Sequence, residues 1–351
     1  MTHSGARRPT APLAVRAVGS FLPPARTKLA ELPSILDLPE EQRAVCAQLG
    51  IETVGVDDAD ATTLAERAAR RALAEAGISA EELGALLVVE QRAPRTLLSS
   101  EATLLQARLG ATHALTFTVG GLGCVSVTPA LLTARGLLAA DPELGPVLVA
   151  HGSKPVSEHR YRHPVTVNGD GGQALLLGRR GKVTIVDQVQ ETDGRYWDLF
   201  HVDYRGRHPS RWREECTDQP AYSFRLAVET RNRLRALLDR LLRRNGLVRA
   251  DVRGFVSQNL SAGGLTFTEE ALDLTLLPDC RENLRTLGHL GPNDVFLNLS
   301  SALQTGRLAD GDHAVLINVS PVAAWSLLLV RIGPERDGNA PSRQKSQETT
   351  A

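Results

Sequence analysis

Aromatic residues are scarce in this chain of 351 residues: seven Phe, four Tyr and three Trp make up only 4% of it. The core must then be built mainly from Leu, Val and Ala, and the 42% hydrophobic content suffices for a sizeable one. Net charge is lacking too, because 40 Lys and Arg balance 40 Asp and Glu. That balance argues against a nucleic-acid or membrane surface driven by bulk charge, while the abundance of Arg leaves room for local patches. Cysteine is confined to Cys46, Cys124, Cys216 and Cys280, far apart and with no CxxC pair, so no zinc or redox motif follows. The opening MTHSGARRPTAP has no apolar segment of the signal-peptide kind, and no apolar run reads as long enough to span a bilayer. The expectation is a reduced, cytoplasmic protein with neither nucleic acid nor membrane as partner.

What is present is alternation. LAVRAVGSFL (13–22) reads as a strand, TTLAERAARRALAE (62–75) as an amphipathic helix, and ALLVVEQ (85–91) as a buried strand. VETRNRLRALLDRLLRR (228–244) is a second amphipathic helix, followed by Asn245-Gly246, an acidic turn and the strand RGFVSQN (253–259). A second pair of segments matches more closely. Cys124 and Asp294 each begin a helical pattern with a Gly twelve positions on (Gly136 and Gly306), and each pattern leads to a buried strand, 146–153 and 313–320. Two halves with one internal order imply a duplicated α/β chain, with its junction near 179–181. Residues 1–11 read as a flexible arm, 12–178 and 179–333 as the two halves, and 334–351 as a disordered polar tail.

Five stretches then resemble the ketoacyl synthase III-like branch of the thiolase superfamily. LAVRAVGSFLPPAR is similar to the opening strand and proline turn, and FTVGGLGCVSVTPALLTARGLL (117–138) to the segment holding the nucleophile. VNGDGGQALLLG (167–178) resembles the GDGAGA-type strand closing the first half, and is the most specific local match. GHLGPNDVFLNLSSALQTGRLADGD (288–312) and AAWSLLLV (323–330) resemble the second conserved region and the closing strand. The resemblance implies a thiolase fold, two pseudo-repeated α/β halves in a layered α-β-α-β-α core. It also implies an acyltransferase with no permanently bound cofactor. Its donor would be acyl-CoA or a phosphopantetheinyl acyl carrier protein, and the chain would pair as a homodimer or with a related synthase. Specialised-metabolite biosynthesis is the expected setting.

Cys124, after glycines and before a helical pattern, sits where free N–H groups and the helix dipole favour a thiolate. The bland alternative is a small buried residue at a strand–helix corner. By resemblance it carries the acyl group, with Gly123 beside it. The family places a His where this chain has Gln258, followed by Asn259. Gln exchanges hydrogen bonds but carries no proton as a base near neutral pH. His289 stands where the family has a catalytic Asn, and reads equally as a base or a structural turn residue. Asp294 opens a helix and reads first as an N-cap; in the ester-forming relatives an Asp in this region orients the base. Val322, in a closing loop altered to Val319-Ser320-Pro321-Val322, retains the N–H expected of the oxyanion hole. Loss of the His favours transfer to a hydroxyl or amine over Claisen condensation, and leaves a second possibility, a degenerate supporting subunit. His159 and His163 lie in SEHRYRH, read as a solvated loop. The stretch 196–215, with two Trp among Arg and His, reads as a tunnel cap, a partner contact or a dimer seam.

Overall fold

The computed structural model describes residues 11–333 apart from 93, 95 and 97. Residues 1–10 of the arm, and the tail 334–351, lie outside the described residues.

Among the described residues nine strands form one sheet: β1 (Ala14–Phe21), β2 (Ala85–Val89), β3 (Leu115–Val119), β4 (Val147–Ser153), β5 (Gly171–Gly178), β6 (Val183–Thr192), β7 (Val252–Ser257), β8 (His313–Ser320) and β9 (Ala324–Ile332). Their spatial order is β7-β8-β9-β6-β1-β5-β4-β2-β3. Outward from the middle, β1-β5-β4-β2 on one side is matched by β6-β9-β8-β7 on the other. In both halves the innermost pairs are antiparallel and the outermost matched pair is parallel. The two half-sheets meet through a short ladder, Ala14 opposite Thr184 and Val15 opposite Val183. Strands β2, β4 and β5 are buried at every position. They are continuous apolar or small-residue runs rather than alternating ones, because both faces are covered.

Helix α1 (Ala61–Ala76) lies on β1, β4 and β5, with α2 (Glu101–Leu109) packed beside it. Asp60 caps its start through Thr63 N–H, and Gly77 ends it in the left-handed conformation. Its buried face, Leu64, Ala65, Ala68, Ala69 and Ala72, presses almost backbone to backbone on the sheet. A Cβ on Gly152 would come within 1.8 Å of the Ala61 carbonyl, and one on Gly172 within 2.0 Å of the Leu64 carbonyl. The last glycine of the VNGDGG motif is thus required by helix packing. On the far side α4 (Ala227–Arg244) lies on β6 and β9.

Between the half-sheets run two central helices, α3 (Val127–Ala140) and α7 (Asp294–Gln304). Helix α3 belongs to the first half but bonds to the second. Thr128 Oγ1 is 2.8 Å from Ser326 Oγ, and Arg135 donates to the Ile185 carbonyl at 2.6 Å. The layers are α-β-α-β-α, the thiolase arrangement. One expectation needs correcting: 123–140 is by length and composition apolar enough to cross a membrane. Its position between the two half-sheets accounts for that composition, and a core helix passes such a test as readily as a span.

Candidate active site

Cys124 is placed by a tight turn. After β3 the chain bends at Gly120 and Gly121, where the Gly121 N–H donates to Glu90 Oε2 at 2.7 Å. A 3₁₀ turn, Gly123–Ser126, precedes α3, so the cysteine heads a turn leading into the helix rather than the helix itself. Gly123 adopts a left-handed φ of 53°, and a Cβ there would lie 2.7 Å from Ser320 Oγ. Across the half boundary, Asn318 Nδ2 donates to the Cys124 carbonyl at 2.6 Å. The thiol is only 4% exposed.

His289 reaches it from the second half. Helix α6 (Pro278–Leu287; α5, Ala262–Leu272, precedes it) stops at Gly288, with φ 66°. The next residue is clamped by the VNGDGG strand: His289 N–H donates to the Val167 carbonyl, and Gly169 N–H to the His289 carbonyl, both at 3.0 Å. Its Nε2 lies 3.2 Å from Cys124 Sγ, and its Nδ1 lies 2.6 Å from Asp294 Oδ2. Asp294 accepts two further bonds, from Leu290 N–H at 2.8 Å and Asn259 N–H at 3.0 Å. The N-cap reading of Asp294 is therefore corrected. The capping position falls to Asn293, and the carboxylate turns back to His289 and to backbone outside its own helix. It satisfies three donors there, more than a single cap bond offers.

The result is a buried Cys–His–Asp relay. Burial by itself raises the Cys124 thiol, but the facing His289, its hydrogen bond, and the guanidiniums of Arg162 and Arg92 outweigh that and bring the pKa down. Burial likewise disfavours the imidazolium of His289, yet the Cys124 thiolate and the Asp294 carboxylate raise it to about 9. The other cysteines move the opposite way: burial pushes Cys46 up to about 11 and Cys280 up to about 12. A thiolate–imidazolium pair held by a carboxylate is the chemistry of an activated nucleophile with its base already in reach.

The remaining candidates are placed as follows. Gln258 is 2% exposed; its Oε1 accepts from Val319 N–H at 3.0 Å, and its Nε2 has no partner. It shares with Ser320 the wall of a cavity of about 360 Å³, otherwise mostly apolar. Asn259, expected on the substrate side, instead gives its backbone N–H to Asp294 while its Oδ1 accepts from Asn298 at 2.8 Å. Val322 lies in the turn between β8 and β9, two residues beyond Ser320. His159 and His163 line another cavity, of about 290 Å³, and their ring nitrogens face Ser210 and Tyr161 rather than Cys124. The solvated-loop reading of SEHRYRH is corrected as well, because Arg160, Tyr161 and Arg162 are buried. Arg160 forks onto Asp170 at 2.7 and 3.0 Å, and Arg162 pairs with Glu214. Those carboxylates make burial of the two cations tolerable.

Sequence reasoning missed Arg92, Arg162 and Glu214. Arg92 Nε lies 3.2 Å from Glu214 Oε1, Arg162 Nε bonds Glu214 Oε2, and Asn168 Nδ2 donates to Oε1 at 3.3 Å. Glu214 comes from the aromatic and Arg-rich stretch 196–215. A carboxylate among its arginines was the one available signal, and nothing tied it to residues 52 and 122 positions earlier.

The chain is similar to known proteins along nearly its whole length. No family model matches the chain. A beta-ketoacyl-[acyl-carrier-protein] synthase III of Ruegeria pomeroyi is 28% identical over 326 residues, 90% of this chain and 98% of the relative. Among solved structures, ChlB3, an acyltransferase, superposes with a TM-score of 0.78 at 22% identity, covering 92% of this chain and 98% of its own. The 3-oxoacyl-[acyl-carrier-protein] synthase III of Aquifex aeolicus gives 0.74 at 21%, covering 91% and 99%.

Proposed function

We propose that this chain, which is similar to a ketoacyl synthase III along nearly its whole length and shares the fold of such enzymes, moves an acyl group from a phosphopantetheinyl thioester, on acyl carrier protein or CoA, through Cys124 to a hydroxyl or amine. The observation that carries this reading is the unbroken chain from Cys124 Sγ through His289 to Asp294.

In the first step the Cys124 thiolate adds to the thioester carbonyl. The tetrahedral intermediate expels the pantetheine sulfur, which leaves as a thiol with the proton of the His289 imidazolium. His289 is then neutral and able to act as a base. In the second step the acceptor O–H or N–H gives its proton to Nε2 as the heteroatom attacks the acyl-cysteine, and the Cys124 thiolate departs. The imidazolium–thiolate pair is restored, and the net change is one acyl group moved from sulfur to oxygen or nitrogen. Asp294 holds the ring so that Nε2 faces the sulfur, and stabilises the imidazolium. Gln258, with Oε1 engaged by Val319, presents Nε2 as a donor for a substrate oxygen.

Decarboxylative condensation asks for more, since an enolate must be stabilised by two donors with no base employed. Here the His289 imidazole is committed to Asp294 and Cys124, which suits proton transfer at a heteroatom. The same relay weighs against a degenerate supporting subunit, whose main support was the missing His. Intact-protein mass spectrometry tests the reading, using a panel of acyl-CoA and acyl-carrier thioesters beside Cys124→Ala. An acyl adduct on the wild type alone, discharged by an alcohol or amine, is the expected result. Absence of an adduct with every donor refutes it.

A further inference from the structure

Resting on that reading, we propose that Arg162 and Arg92 form a carboxylate-recognition site beside Cys124, so that a substrate of this enzyme carries a carboxylate close to the reacting carbon.

Two guanidiniums share one carboxylate. Glu214 bonds the Nε of each, at 3.2 Å for Arg92. Arg92 further donates through Nη1 towards Ser153 Oγ at 3.4 Å and the Lys154 carbonyl at 3.3 Å. Arg162 is 6% exposed, and its buried Nη1 has no hydrogen-bond partner. Tethering the stretch that bears Glu214 requires one cation. A second, buried with an unpaired N–H, costs free energy unless an anion meets it. Guanidinium donors match a carboxylate better than any neutral oxygen.

The position of the cluster identifies what meets it. Both guanidiniums act electrostatically on Cys124 Sγ, and Arg162 also acts on Tyr222. Tyr222 and Val165, whose N–H bonds the Arg162 carbonyl at 2.7 Å, are on the wall of the cavity that holds Gln258 and Ser320. The cluster adjoins the relay through the 168–169 segment, where Asn168 Nδ2 donates to Glu214 and Gly169 N–H to the His289 carbonyl. Acylation removes the thiolate and its imidazolium partner together, so Glu214 remains the one anion bonded to both guanidiniums. A carboxylate on the acyl chain or on the acceptor gives the second guanidinium a counter-ion of its own.

The test compares substrates that differ only in that group. On the donor side, succinyl, succinamyl and butyryl thioesters of CoA and of carrier protein are offered to wild-type protein, and the rate of Cys124 acylation is followed by intact mass. On the acceptor side, butyryl-enzyme is offered 3-hydroxybutyrate or its methyl ester. The carboxylate form is expected to be favoured roughly 10- to 100-fold in one arm, and the arm identifies which substrate carries it. In Arg162→Gln the carboxylate-to-neutral ratio should fall to near one, and Arg162→Lys, which keeps charge without the fork, should fall between. Equal rates in both arms overturn the proposal while leaving acyl transfer standing, as does a preference that survives Arg162→Gln. If no thioester acylates Cys124, the acyl-transfer reading itself has failed.

Discussion

Replacing Asp294 with Asn separates the charge of the relay from its shape. The amide is isosteric and still accepts a hydrogen bond, but it carries no negative charge. His289 is buried, and its pKa is raised from 6.5 to about 9. That increment is shared between the Cys124 thiolate and the Asp294 carboxylate, the latter 2.6 Å away. Loss of the carboxylate weakens the imidazolium and hence the thiolate paired with it, by on the order of a factor of ten for an opposite charge in direct contact. An amide nitrogen turned towards Leu290 or Asn259 N–H would add to the loss. The assay is the pH profile of Cys124 alkylation by iodoacetamide, read by intact mass. Wild type should react as a thiolate at lower pH than an ordinary cysteine, because the net shift of Cys124 is downward. Asp294→Asn should need about one pH unit more for the same rate. Cys46 and Cys280, held up at about 11 and 12, should contribute little background. An unchanged profile in Asp294→Asn would refute the view that this carboxylate activates the cysteine.

Four further outcomes are expected. His289→Gln should lose transfer by 10³-fold or more, and its stability relative to wild type should depend on pH. His289, raised above its unfolded value, stabilises the fold fully below about pH 6.5 and loses that contribution as pH rises through about 9, so the difference in Tm should shrink between pH 7 and 10. Gln258→Glu keeps the acceptor for Val319 N–H but removes the Nε2 donor, and kcat should fall about 10²-fold, measured by single-turnover acylation. Gly152→Ala places a methyl 1.8 Å from the Ala61 carbonyl and should destabilise by roughly 1–3 kcal/mol or more in urea unfolding. Asp170→Asn strips the buried partner from Arg160 and Lys154 and should cost about 3–5 kcal/mol by the same measurement.

The layered α/β architecture was legible because it is written in local pattern. Apolar spacing in 62–75 and 228–244 marks the outer helices, unbroken apolar runs mark the buried strands, and the paired order around Cys124 and Asp294 marks the duplication. These signals arise from burial of one face or two, which periodicity records directly. The site was legible only as a set of positions. Nothing local decides whether Asp294 caps its own helix or turns to His289. That choice depends on three donors, His289, Leu290 and Asn259, which converge only when two strands and a turn are packed together. His289 could be read as a base or as a turn residue until the loop 167–169 fixed its backbone and aimed its ring at the sulfur. The arginines were hidden for the same reason. Arg92, Arg162 and Glu214 belong to three segments separated in sequence, and their meaning lies in the ion pairs they share. The sequence by itself determined the elements, their order and the candidate nucleophile. Tertiary structure alone decided which polar groups face one another, because hydrogen bonds and charges act over a few ångströms, and those distances are set by the packing of both halves.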